Sequence, residues 1–228
     1  MSGREIHMLD YALMNQLLYE GNAARVQALT EEAIAAGRPA EEVLQDGLIA
    51  AMSVVGEDFK HNRLYVPQVL VAARAMKAGM AVLKPILTRT GGASSAGTIV
   101  MGTVKGDLHD IGKNLVCMMG EGAGFTMVDL GVDQKAQDFL QAARKHGAGI
   151  VGMSALLTTT MPYMKTVIDA FHAEGMERVK LCVGGAPVSE MFADEIGADG
   201  YAADAASAID LFKRLYPLDA PAAAAAGA

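Results

Sequence analysis

Over the first ~90 residues the apolar positions recur every three or four residues, the spacing of helices that bury one side. Ile6, Leu9, Leu13, Leu17 and Leu18 form one stripe, closed near Gly21. Asn22 is placed to cap a second helix carrying Val26, Leu29 and Ile34, which closes at Gly37. Pro39 stands at a third helix start, where its missing N–H costs little. That helix carries Val43, Leu44, Leu48, Met52 and Val55 and extends to about His61. Pro67 opens a fourth, with Val69, Leu70, Ala73, Met76, Met80 and Leu83. Four helices with short connections predict a small bundle. After residue 97 the pattern changes. Short apolar runs near 98–104, 125–130, 149–154, 179–183 and 199–202 alternate with helical stripes near 112–123, 135–146, 161–175, 189–196 and 205–216. Uncharged runs rich in branched residues are what parallel strands buried on both faces look like. The second half therefore predicts an α/β fold, a five-stranded parallel sheet with helices on both faces.

Between the halves, Thr90-Gly91-Gly92-Ala93-Ser94-Ser95-Ala96-Gly97 is a flexible linker by composition. It sets the expected division: an all-α bundle at 1–90 and the α/β domain at 91–228. The Ala-rich tail from Ala220 to Ala228 is expected to fray. No internal repeat is evident.

Three strand ends carry chemistry. After the first run comes Gly106-Asp107-Leu108-His109-Asp110-Ile111-Gly112, which leads into a helix. A histidine between a buried parallel strand and a helix lies at the carboxyl edge of the sheet, where open α/β folds bind ligands. Neutral imidazole is the commonest metal ligand, and a ligating histidine usually gives its other ring N–H to a carboxylate. Asp107 is close enough for that part, and Gly112 lets backbone approach something bulky. Taken alone, the same triplet also fits a helix-capping histidine beside two ordinary loop acids. The third run ends in Ser154-Ala155-Leu156, followed by Leu157 and Thr158-Thr159-Thr160, and the fourth ends in Gly184-Gly185. A histidine loop, a hydroxyl-rich loop and a paired-glycine loop thus share one edge.

Composition narrows the classes further. Net charge is −7, which argues against nucleic acid as a partner. No run of membrane-spanning length and no secretion signal is expected, which places the chain in the cytoplasm. Cys117 and Cys182 fall on a helix and a core strand and read as buried thiols. Without a C-x-x-C, a zinc or iron–sulfur site is not expected. His7, His61, His146 and His172 have no motif around them and read as surface residues. Fifteen methionines suit an adaptable core, or a surface that must part from a ligand and re-pack.

Asp107-x-His109-x-x-Gly112, Ser154-x-Leu156 and Gly184-Gly185 resemble the signature of the cobalamin-binding domain of the methionine synthase type. The likeness extends through Val104-Lys105-Gly106 and Val128-Asp129-Leu130-Gly131-Val132. Tyr65-Val66-Pro67-Gln68-Val69 and Ala72-Ala73-Arg74-Ala75-Met76 resemble the helix-bundle cap of the same family. In size the chain is similar to the free-standing corrinoid proteins of methylamine and methanol methyltransferase systems.

The resemblance implies a four-helix cap followed by a flavodoxin- or Rossmann-like sheet of order 2-1-3-4-5. It implies cobalamin or a related corrinoid as cofactor, in the methylcobalamin form during turnover. His109 is then the lower axial cobalt ligand in place of the cofactor's own benzimidazole. Asp107 and Thr160 continue a proton relay. Asp110, Ile111 and Gly112 flank the ligand, and Ser154, Leu156, Thr158, Gly184 and Gly185 take the displaced nucleotide tail. Tyr65 corresponds to the aromatic that shields the upper face. The implied role is a methyl carrier, not catalytic alone, within a multi-protein methyltransferase system. Its partners are a substrate-specific methyltransferase, an acceptor methyltransferase using tetrahydrofolate or coenzyme M, and a reductive activase. Two other roles share the histidine loop: the small subunit of an adenosylcobalamin mutase, and a cobalamin-dependent sensor. The helical half argues against the first, and the lack of a recognisable DNA-binding segment against the second.

Overall fold

The computed structural model describes residues 11–90 and 96–216. Ile6, His7, Leu9, residues 91–95 of the linker and the Ala-rich tail lie outside them. The chain divides into two compact units, Met1–Ala93 and Ser94–Ala228.

The first unit is all helix: α1 (Tyr11–Tyr19), α2 (Ala23–Ala35), α3 (Ala40–Glu42), α4 (Ala50–Lys60) and α5 (Val66–Thr90). Asn22 caps α2 as its residue type predicts, its side chain accepting from the Arg25 N–H at 3.3 Å. Between α3 and α4 the chain stays helical but widens into a π-helical stretch, Val43–Ile49. The 3.6-residue pattern gave no warning of that widening. Gly47 lies within it, and a Cβ there would meet Met14 Sδ at 2.6 Å, so the missing side chain is what lets α1 approach. α5 is the central helix, burying Val69, Ala72, Ala75, Met76, Leu83 and Leu87 and packing along α2. Its segment Val66–Leu87 is long and apolar enough to cross a membrane by length and composition, which corrects the expectation that no run would be. The apolar stripe of that segment is the bundle's own core, and Arg74, Lys77 and Lys84 stand exposed between its buried positions.

The second unit holds five parallel strands: β1 (Thr98–Thr103), β2 (Thr126–Asp129), β3 (Ile150–Ser154), β4 (Lys180–Gly184) and β5 (Gly200–Ala202). The spatial order is β2-β1-β3-β4-β5, the expected order. The connecting helices are α6 (Ile111–Gly122), α7 (Ala136–His146), α8 (Tyr163–Ala173) and α9 (Glu190–Ile196), and α10 (Ala205–Leu215) closes the unit. On one face, Phe139, Leu140, Met164, Val167, Ile168 and Phe171 of α7 and α8 pack onto Val100, Val151, Leu181 and Val183. α6 and α10 pack together on the other face, where Phe125 and Phe212 meet edge to face at 6.4 Å. β1 and β3 lie at the centre of the sheet, so their carboxyl ends deliver the His109 and Ser154 loops side by side, with Thr103 opposite Ser154 and Ser154 opposite Gly184. Both cysteines are free and buried. His61, His146 and His172 are exposed.

Candidate functional site

The site is built on the loop between β1 and α6. Gly106 takes φ +84°, a left-handed turn that starts the loop. The opposite loop clasps it: the Gly106 N–H donates to Asp133 Oδ1 at 2.7 Å, and the Asp133 N–H donates to the Asp107 carbonyl at 3.0 Å. Asp133 is itself at φ +56°, one of two non-glycine residues there among those described. From below, the buried Thr103 hydroxyl donates to the His109 carbonyl at 2.8 Å.

Asp107 is fully buried at the centre of a converging set of donors. Its Oδ1 lies 2.7 Å from His109 Nδ1 and accepts the His109 N–H at 3.1 Å. Its Oδ2 accepts the Leu156 N–H at 2.8 Å, the Leu157 N–H at 3.3 Å and the Thr160 hydroxyl at 2.6 Å. Burial alone would raise the pKa of this carboxyl. The bonds from Thr160, Leu156 and His109 outweigh it and hold the group well below the usual carboxylate range. A carboxylate at Nδ1 requires the proton there, so Nε2 carries the lone pair. The imidazole is half exposed and free to present that nitrogen outward. Leu108 and Ile111 flank it, 72% and 77% exposed, a costly placement for large apolar side chains unless something apolar covers them.

A cavity of about 450 Å³ opens beside this imidazole. His109, Asp110, Ile111 and Gly112 line it from the loop, Ser154 and Leu156 from the end of β3, and Gly184 and Gly185 from the end of β4. Three glycines keep it open. A Cβ on Gly185, at φ +125°, would lie 1.9 Å from the Ala155 carbonyl oxygen, and one on Gly184 2.8 Å from that of Ala202. A Cβ on Gly152 would reach Met101 Sδ at 2.1 Å. Thr158 is exposed and does not line the cavity; Thr160 lies behind it, on Asp107. Tyr65 belongs to the first unit, where its ring is 67% exposed.

Sequence reasoning missed three features. Gly152 lies inside the third apolar run, and a glycine within a strand marks a close approach. The α10 face, with Ala205, Ala208, Leu211 and Phe212, forms a wall of the cavity, and its three- and four-residue spacing read only as a core stripe. Lys113 was hidden inside a helical stripe. It is buried, and its Nζ pairs with both oxygens of Asp129 at 2.6 Å. Among the described residues no group of three or more His, Cys, Asp or Glu could hold a metal ion by itself.

Two family profiles match, each described as a B12 binding domain: one over residues 97–210, the other over residues 13–84. A corrinoid protein of Desulfitobacterium hafniense is 40% identical over 205 residues, spanning 89% of this chain and 95% of the relative. The dimethylamine corrinoid protein of Methanosarcina barkeri is 42% identical over 191 residues, 83% of this chain and 89% of the relative. Among solved structures, one chain of the methanol:cobalamin methyltransferase complex of Methanosarcina barkeri superposes with a TM-score of 0.79 at 30% identity, covering 89% of this chain and 78% of that one. A cobalamin-binding protein of Desulfitobacterium hafniense superposes with a TM-score of 0.74 at 29% identity, covering 90% and 98%.

Proposed function

Since the chain belongs to the B12-binding corrinoid proteins of methyltransferase systems, we propose that it carries a methyl group from a substrate-specific methyltransferase to a second one. Bound cobalamin supplies a cobalt that can take up and give up a methyl group. One observation carries the assignment of residues. His109 holds its Nδ1 against a buried carboxylate at 2.7 Å and leaves Nε2 half exposed at the mouth of a 450 Å³ cavity. A single imidazole suits a metal whose other positions are already filled by a macrocycle.

In this reading Nε2 of His109 would hold the cobalt. Asp107 fixes the ring's tautomer and orientation. Thr160 and the Leu156 N–H keep Asp107 ionised, so the proton stays on Nδ1 while Nε2 is engaged. Ligation would need Nε2 unprotonated, since that nitrogen cannot hold a proton and a metal at once. A proton held on the ring would face the Asp107 carboxylate, with Thr160 behind it as the next member of the chain. The exposed Leu108, Ile111 and Leu156 would offer apolar cover to the macrocycle. The acceptor methyltransferase, using tetrahydrofolate or coenzyme M, and a reductive activase complete the proposed set of partners.

The test is the electron paramagnetic resonance spectrum of the Co(II) form in protein reconstituted with cobalamin. An axial ¹⁴N gives triplet superhyperfine splitting, and ¹⁵N-labelled histidine should turn it into a doublet. His109→Ala should bind the cofactor more weakly and lose the histidine-derived splitting. A triplet unchanged by histidine labelling would overturn the assignment.

A further inference from the structure

The cavity is not uniform from mouth to floor. Its polar side chains gather at the carboxyl edge: His109, Asp110, Ser154 and Asp204. Two register positions deeper along the strands, Met101 pairs with Gly152 and Gly152 with Cys182. All three line the cavity, and Leu211 and Phe212 of the α10 face close it. No Asn, Gln, Thr or Tyr lines any part of it among the described residues, and Ser154 is its one hydroxyl. The backbone of this deep level is consumed by the parallel pairing of β1, β3 and β4. Lys113 reaches the wall, but its Nζ donates to both Asp129 oxygens and to Asn114 Oδ1, each at 2.6 Å. The thiol of Cys182 is the remaining polar group. Burial pushes its pKa up to about 12, so it stays a neutral, weak donor.

We propose that this chain selects among corrinoids by the base that ends their nucleotide tail, favouring a base with an apolar outer edge over one with an exocyclic amine. The inference rests on the reading that this cavity receives the tail. A base seated at that depth would meet Met101, Leu211 and Phe212, and the methyl-bearing edge of dimethylbenzimidazole has no hydrogen bond to lose there. An adenine presents an amine and ring nitrogens that leave water and find no partner at that depth. A desolvated polar group without a partner weakens binding by about tenfold or more. Gly152 is the second determinant, because any side chain there fills the floor against Met101.

The experiment is equilibrium titration of the apo-protein, followed by absorbance and by calorimetry, with three probes. They are hydroxocobalamin, the cobamide carrying adenine in place of dimethylbenzimidazole, and cobinamide, which lacks the tail. The expected order is hydroxocobalamin tightest, by about tenfold or more over the adenine form, with cobinamide also weaker than hydroxocobalamin. Leu211→Gln supplies a donor and an acceptor at the wall and should narrow the ratio between the two bases. Met101→Gln should do the same from the floor and serves if the first variant does not fold. Equal affinity for the two bases overturns the selectivity while leaving the cofactor site standing. A ratio unchanged in a folded Gln variant does so too. Cobinamide binding as tightly as hydroxocobalamin shows that the tail does not enter this cavity. Failure of all three probes to bind overturns the site itself.

Discussion

Gly185 can be tested against a glycine elsewhere in the same unit. Gly147 ends α7 at φ +59°, and a Cβ there meets nothing within 4 Å. Gly147→Ala therefore isolates the conformational penalty of a left-handed residue, about 1–2 kcal/mol. Gly185 is at φ +125°, and its Cβ would lie 1.9 Å from the Ala155 oxygen, 2.9 Å from its carbonyl carbon and 3.1 Å from its nitrogen. All three are backbone atoms at the end of β3, so no rotamer change relieves the overlap. The ends of β3 and β4 must part, adding an overpacking cost of about 1–3 kcal/mol to the conformational one. At about 2–4 °C per kcal/mol for a chain of this size, Gly185→Ala should melt about 2–12 °C below Gly147→Ala. Thermal unfolding by circular dichroism on both apo-proteins measures this. Corrinoid titration adds a second readout, in which Gly185→Ala loses affinity and Gly147→Ala keeps it. Equal melting temperatures, or wild-type binding by Gly185→Ala, would refute the argument that this close approach shapes the cavity.

Other outcomes follow from single contacts. Thr160→Val removes the 2.6 Å bond to a buried carboxylate and should lower stability by about 1.5–3 kcal/mol, with Thr160→Ser restoring most of it; urea midpoints compare the three. Lys113 is buried while the Asp129 side chain is 40% exposed. Asp129→Ala strands a buried ammonium and should cost about 3–5 kcal/mol, whereas Lys113→Met should be close to neutral; similar losses would contradict the asymmetry. Burial pushes the thiols of Cys117 and Cys182 up to about 12, so at pH 8 neither should react with an aromatic disulfide reagent until denaturant is added. Because those pKa values lie above the unfolded ones, the neutral thiols contribute stability that is present at neutral pH and lost only as pH rises past the unfolded value. Unfolding midpoints should therefore fall between pH 9 and 11 by less in Cys117→Ala/Cys182→Ala than in the native chain.

Much of this molecule was legible because its second unit obeys the rules of parallel sheets. Buried strands such as Thr98–Thr103 and Ile150–Ser154 are nearly pure apolar runs, and their ends can be read to within a residue or two. His109, Asp107 and Gly185 were legible as a candidate site because their loops follow strands that share one sheet edge; each signal alone has other uses. What stayed hidden depends on three dimensions. Gly152 matters through Met101, a neighbour on another strand. Lys113 looks like a solvent-facing residue in a helical pattern, and its partner is sixteen positions away on β2. Thr158 and Thr160 are indistinguishable by type. The turn before α8 buries Thr160 and leaves Thr158 outward. α5 shows that length and apolarity report burial without saying in what.

The π-helical stretch Val43–Ile49 lets the first unit carry about one residue more than an ordinary helix with the same buried face would. At 3.6 residues per turn, the buried positions Val43, Gly47, Leu48, Ala51, Met52 and Val55 would be spread over roughly half the circumference of one helix. The wider turn gathers them onto a single side. Many apolar exchanges at these positions would keep that phase. Removing one residue between 43 and 49 would let the segment relax to an ordinary helix, and because the widened turns absorb about one residue, the side chains of α4 would keep nearly their present phase toward α1 and α5. An ordinary helix one residue shorter is therefore a neighbouring solution to the same packing, and a single-codon deletion here is the length change the bundle should tolerate best.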